Sequence, residues 1–159
     1  MAKARKTWQE KLADDKDLPR VVEITEKMSK RWGTGTLVIP APREVDEIMG
    51  KVPRGKLVTI NQIREMVARN HGATIGCPIT CGIFVNIAAR AAEEAADEGK
   101  RDITPYWRTL KSKGELNEKY PGGVETQAAH LEEEGHNIEP GKGKKPPRVK
   151  DFEKALVEV

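Results

Sequence analysis

The chain has 159 residues and a formal net charge of +3; 33% of its residues are charged, 37% hydrophobic and only 4% aromatic. That length allows one good core plus a tail, and the composition describes a helix-rich domain with a modest interior. No apolar run approaches the roughly 18 residues that cross a bilayer, and the opening MAKARKTWQE lacks the apolar stretch of a secretory leader.

The expectation is therefore a cytoplasmic protein without membrane contact, nucleoid-associated if prokaryotic, with reduced thiols. The two cysteines, Cys77 and Cys81, share one helical face, but no further Cys and only three His accompany them. Neither a metal site nor a cofactor is expected.

In chain order, Trp8 to Trp32 reads as one or two charged amphipathic helices broken at Pro19, with Leu18, Val21, Val22, Ile24 and Met28 as an apolar stripe. Gly33-Thr-Gly35 closes it. Thr36 to Ile39 is a short strand, and Glu44 to Met49 a short helix closed by Gly50. After a turn at Gly55, Asn61 is a plausible cap for a helix over Gln62 to Asn70, with Ile63, Met66 and Val67 inward.

Cys77-Pro78 opens a longer helix running to Glu98, with Pro in the first turn, where it is tolerated. At 100° per residue, Ile83, Phe84, Ile87 and Ala91 share one side. Gly82, Asn86 and Arg90 share the other, with Ala89 near them. A short helix, a loop and a second helix with a small, polar outer face form a helix-turn-helix pattern, although most such pairs in small domains merely pack. Beyond the turn at Lys113-Gly114 and the glycine loop Tyr120-Pro-Gly-Gly123, Val124 to Glu134 is a further helix capped by Gly135. The end, with PGKGKKPPRVK, reads as an extended basic arm whose Phe152, Leu156 and Val157 could dock back.

The order VPRGKLVTINQI, helix pair, TPYWR, KGELNEKYPGG and LEEEG resembles the C-terminal DNA-binding domain of alkylguanine-DNA alkyltransferases, over roughly residues 43–136. The matching residues are Pro53, Gly55, Thr59, Gln62, Ile63, Pro105, Arg108, Gly114, Leu116, Tyr120, Gly122, Gly123, Leu131, Glu134 and Gly135. The resemblance implies a mainly α, winged helix-turn-helix-like domain with short strands at 36–138. An N-terminal helical extension at 1–35 and a basic Pro/Gly/Lys-rich tail at 139–159 complete the chain. It also implies double-stranded DNA as partner, alkylated in some cases, together with other repair proteins, and a monomer.

The departures shape the functional expectation. The family's "P-C-H-R" Cys takes the alkyl group and its His, oriented by a Glu, activates that Cys. Tyr106 and Trp107 stand there in this chain. A phenol with an ordinary pKa near ~10 is a poor acceptor and an indole is no base, so no catalytic residue is expected and Glu134 is left with nothing to orient.

The resemblance is then to alkyltransferase-like proteins, which bind alkylated guanine without repairing it. Tyr106, Trp107, Arg108, Tyr120, Gly122 and Gly123 would form the lesion pocket, with the Tyr106 ring stacked on a flipped base. Trp107 is equally readable as packing, and Arg108 as a loop clamp. Thr59, Gln62 and Arg64 would reach phosphates, while Thr80, Gly82, Asn86, Ala89 and Arg90 would face the duplex. The family's Tyr in "T-Y-x-Q" is Ile60 here, and the turn Ile79-Thr-Cys-Gly82 lacks the family's Arg. Two other readings stay open: an active alkyltransferase using Cys77 or Cys81, and a winged-helix regulatory module without lesion recognition.

Overall fold

A six-residue helix is too short to persist alone, and the first one is held at its N-terminal end in two ways. The computed structural model describes residues 7–15 and 17–158, so residues 1–6 and 16 of the expected extension lie outside the described ones. Helix α1 (Trp8–Ala13) has a Thr7/Glu10 capping box. The Glu94 carboxylate also accepts from the amides of Trp8 and Gln9 at 3.1 and 3.2 Å. Those hydrogen bonds, led by the one from the Gln9 side chain, hold Glu94 below the usual carboxylate range.

The next segment corrects the helical reading of Trp8 to Trp32. Strand β1 (Arg20–Glu23) interrupts it before helix α2 (Glu26–Trp32). The β-branched pair Val21 and Val22 lies opposite Val38 and Leu37 of strand β2 (Thr36–Ile39), antiparallel. Helix α3 (Pro42–Gly50) begins earlier than expected, because Pro42 occupies its first turn.

Strand β3 (Val58–Thr59) runs directly into helix α4 (Ile60–His71). The cap is Thr59 rather than Asn61. Thr59 Oγ1 accepts from the Gln62 amide at 3.3 Å, and Gln62 Oε1 accepts from the Thr59 amide at 3.0 Å. Gly72, at φ 63°, ends the helix in the left-handed region. Strand β4 (Ile75–Gly76) then pairs in parallel with β2. Helix α5 (Pro78–Asp97) runs nearly as long as expected. A 3₁₀ turn at Tyr106–Arg108 leads into strand β5 (Thr109–Leu110), which pairs in parallel with β3. Helix α6 (Gly123–Glu133) follows.

Helix α5 is rotated relative to expectation. Its buried stripe is Cys81, Val85, Ala88, Ala89, Ala91 and Ala92, whereas Ile79 and Ile83 are 57% and 50% exposed. Bulky partners, Met49 and Tyr106, come to meet this stripe in the larger core cluster, so small residues fill the shared volume. A second cluster gathers Leu57, Leu110, Leu116, Leu131, Val149 and Phe152, and Trp107 packs against both.

The C-terminal segment is not an extended arm, and its Phe152, Leu156 and Val157 dock back on the domain as the sequence allowed. Strands β6 (Ile138–Glu139) and β7 (Arg148–Val149) pair antiparallel. Phe152 lies against Gly114, where an added Cβ would stand 2.3 Å from the ring. The Val157 amide donates to Leu57 O, and Gln62 Nε2 to Val157 O, both at 2.8 Å. The few apolar residues of the segment outweigh its polar composition because each finds a seat: Val149 and Phe152 are buried. Among the described residues, no helix is long and apolar enough to cross a membrane.

Candidate nucleic-acid interface

The PYWR turn is built as a strut. Tyr106 is fully buried, and its hydroxyl donates to Glu93 Oε2 at 3.1 Å. Its ring meets Trp107 and Tyr120 edge-on, each with centroids 5.3 Å apart. Burial first, and then the Glu93 charge, push the phenol well above its ordinary pKa. Trp107 stacks on His130 at 4.1 Å, and its Nε1 donates to Glu134 Oε2 at 2.9 Å. Arg108 grips the same carboxylate in a fork, through Nε at 2.9 Å and Nη2 at 2.8 Å, while Nη1 donates to Val52 O at 2.6 Å.

Glu134 therefore has two residues to hold, contrary to the expectation that it has none. Burial works against its ionisation, but the hydrogen bonds from Arg108 and Trp107 outweigh that and keep it below the usual carboxylate range. The reading of Arg108 as a loop clamp matches these contacts.

In front of the strut lies a cleft of about 440 Å³. One wall is the outward side of α5, with Ile79, Gly82, Ile83 and Asn86. The other carries Thr109, Lys111, Asn117 and Lys119, and Tyr120 lies between them. Tyr120 is held by donating to Thr109 O at 3.0 Å. Thr109 is 1% exposed, yet its Oγ1 has no hydrogen-bond partner among the described residues. Asn117 Nδ2 donates across the cleft to Asn86 Oδ1 at 3.2 Å.

The loop behind this wall is fixed by Gln127, a residue the sequence reading did not single out. Its Oε1 accepts from the Asn117 amide at 2.8 Å, and its Nε2 donates to Trp107 O at 3.1 Å. A polar side chain one position before Ala128 and four before Leu131, on an inward helix face, was the available signal. The glycine loop is equally specific: Gly122 has φ 79°, and an added Cβ would stand 2.1 Å from Thr126 Oγ1. Gly123 follows at φ 71°.

The structure brings Gly82, Asn86 and Tyr120 together at the cleft but separates other candidates from it. Tyr106 does not line it and lies behind Tyr120, so no base could stack on Tyr106 without displacing that ring. Trp107 and Arg108 are committed to Glu134. Ala89 is fully buried in the core rather than facing outward. Thr59 and Gln62 spend their side chains on the α4 cap and on Val157. Arg64 donates to Gly76 O at 3.1 Å and lines a separate groove on α4. Arg90 donates to Lys119 O at 3.0 Å and lies over the Trp8 ring, bracing the cleft loop against α1. Thr80 is half-buried, and its Oγ1 has no hydrogen-bond partner among the described residues. Ile79, Ile83, Thr109, Lys111 and Lys119 are cleft residues the sequence reading missed.

The thiols are poorly placed for chemistry. Cys77 and Cys81 are both buried, and burial first, then the neighbouring Cys77, push the Cys81 thiol up to about 12. Among the described residues, no three His, Cys, Asp or Glu side chains converge as a metal site would require.

The fold, a helical core with small sheets, is similar to that of alkyltransferase-like proteins. Two solved structures share it: S. pombe Atl1 in complex with damaged DNA containing O6-carboxymethylguanine, and S. pombe ATL in complex with DNA. In each comparison the TM-score is 0.53 and the identity 19%, and the match covers 74% of this chain and 94% of the other. No protein-family model and no curated protein matches the chain.

Proposed function

We propose that this chain is a non-enzymatic DNA-binding protein of DNA repair that senses alkylated guanine. The observation that carries the reading is the cleft: a slot between α5 and the Thr109–Tyr120 wall, with a buried, unpartnered Thr109 hydroxyl and two side-chain amides, Asn86 and Asn117. A flat base with hydrogen-bonding edges suits such a slot, and a base can reach it only by leaving the duplex stack. Lys111 and Lys119 on the wall supply positive charge for the phosphates beside it. The resemblance in fold to proteins solved with DNA supports the same reading.

The buried thiols speak against the alkyltransferase alternative, since a nucleophile must be ionised and within reach of its substrate. Fluorescence anisotropy with matched duplexes, one plain and one carrying O6-alkylguanine, tests the proposal. We expect tighter binding to the alkylated duplex. Equal affinity for both would reduce the protein to a general duplex binder, and no binding to either would favour the regulatory-module reading.

A further inference from the structure

Helix α1 has no part in the reading above, and it lies outside the stretch 43–136 whose motifs resemble the family. It is nonetheless tied to the cleft through one turn of α5. Arg90, Glu93 and Glu94 share that turn and engage three different parts of the fold. Glu94 holds the Trp8 and Gln9 amides, Glu93 accepts from the Tyr106 hydroxyl, and Arg90 Nη2 donates to Lys119 O at 3.0 Å. We propose that Trp8 is a positioning residue for the cleft: by holding Arg90 at Lys119 O it fixes the wall against which a base is read, so the N-terminal helix sets the preference for alkylated over plain duplex. The proposal rests on the sensing reading above and adds to it a residue outside the cleft.

Three observations give Trp8 this role beyond anchoring its own helix. First, the Arg90 guanidinium lies over the Trp8 ring with Cζ 5.3 Å from the centroid, inside the ~6 Å reach of a cation–π contact. An arginine side chain has many rotamers, and this contact favours those that meet Lys119. Second, the cleft loop is tied to α5 at two points one turn apart. Asn117 Nδ2 donates to Asn86 Oδ1 at 3.2 Å, and Lys119 O accepts from Arg90. A loop tied once can pivot, and the second tie stops it; Asn117 and Lys119 both line the cleft. Third, Trp8 and Arg90 share a surface hollow with Pro121, so the ring adjoins the point where the wall passes into the glycine loop. A wall ordered before binding costs less to occupy than one the ligand must order. Loss of the brace can therefore weaken the preference by no more than the brace is worth, a factor of about two to five for a partly exposed cation–π contact.

The test uses the full chain as wild type, Trp8→Ala, Trp8→Phe and Arg90→Ala. Amide hydrogen exchange is read by mass spectrometry in the free protein, over the loop 111–120 and over helix α4 as control. Affinities are read by anisotropy for a duplex carrying O6-methylguanine and for its plain counterpart. Trp8→Ala and Arg90→Ala should each quicken exchange in the loop about two- to fivefold, leave α4 unchanged, and lower the ratio of the two affinities by a similar factor. Their combination should do no more than either alone, and Trp8→Phe, which keeps a ring, should stay near the wild type. Should Trp8→Ala fail to fold, Arg90→Ala with Trp8→Phe carries the test. Exchange quickened equally in α4, or a ratio unchanged in Trp8→Ala, overturns the proposal and makes Trp8 a general anchor. Equal wild-type affinity for the two duplexes sinks the sensing reading, and the exchange data then decide separately whether Trp8 holds the loop.

Discussion

The indole Nε1 of Trp107 donates to Glu134 Oε2 at 2.9 Å, the same oxygen that accepts from Arg108 Nη2 at 2.8 Å. An imidazole in that place could donate a similar N–H and also act as a base; the indole donates the hydrogen bond but offers no basic nitrogen. The Glu134 side chain is 3% exposed and that of Arg108 13%, which makes the trio an interior support for the PYWR turn.

Glu134→Gln should therefore lower stability by about 3 kcal/mol at pH 7, because a buried guanidinium loses its counter-charge. Glu134 ionises below the usual carboxylate range, so its contribution is complete above about pH 4.3 and disappears as pH falls through the lower folded value. Thermal melts of both proteins from pH 3 to 7 should show a gap that is widest at neutral pH and narrows below about pH 4. A gap constant with pH would mean the carboxylate charge plays no part.

Tyr106→Ala should cost about 4 kcal/mol, as expected for removing a fully buried ring. Tyr106→Phe should cost about 1 kcal/mol, the value of its bond to Glu93. Because Tyr106 lies behind Tyr120, the Phe variant should keep the wild-type ratio of affinities for alkylated and plain duplex. A selective loss on alkylated DNA would return the hydroxyl to direct contact with the lesion.

Neither cysteine should accept an alkyl group. With the Cys81 thiol pushed up to about 12, roughly one molecule in 10⁵ carries the thiolate at pH 7. Mass spectrometry after incubation with a duplex containing O6-methylguanine should find the protein mass unchanged, and thiol reagents should label both positions only on unfolding. One added methyl on Cys77 or Cys81 would make the protein an alkyltransferase.

Local rules carried much of the fold. Gly72 as a stop, Pro78 in the first turn of α5 and the β-branched run at Thr36–Ile39 each act through their own backbone, so a reader of the chain can place them. Burial is not local. The rotation of α5 depends on Met49 and Tyr106 arriving from elsewhere, which no periodicity within the helix records. The same holds at the site: Arg108 was legible as a clamp, but Thr109, Gln127 and the two isoleucines gain their meaning only once the Thr109–Tyr120 loop folds against α5. Strand β1 was hidden because charged neighbours gave Val21 and Val22 a helical setting, and the partner that makes them a strand is β2.

Lys142, Lys144 and Lys145 are all exposed in the loop between β6 and β7. The Lys145 amide donates to Lys142 O at 2.9 Å, closing a tight turn on an ordered hairpin. A backbone already turned back in this way has less freedom left to lose when its lysines meet phosphates than a loose arm would have. Each that releases a counterion adds about 0.9 to the dependence of log affinity on log salt concentration. Replacing all three by Gln should flatten that slope by between about 1 and about 3, and should weaken binding to plain and alkylated duplex equally. An unchanged slope would place the hairpin off the DNA path; a flatter slope with an altered preference for alkylated DNA would bring these lysines to the cleft rather than to the flanking backbone.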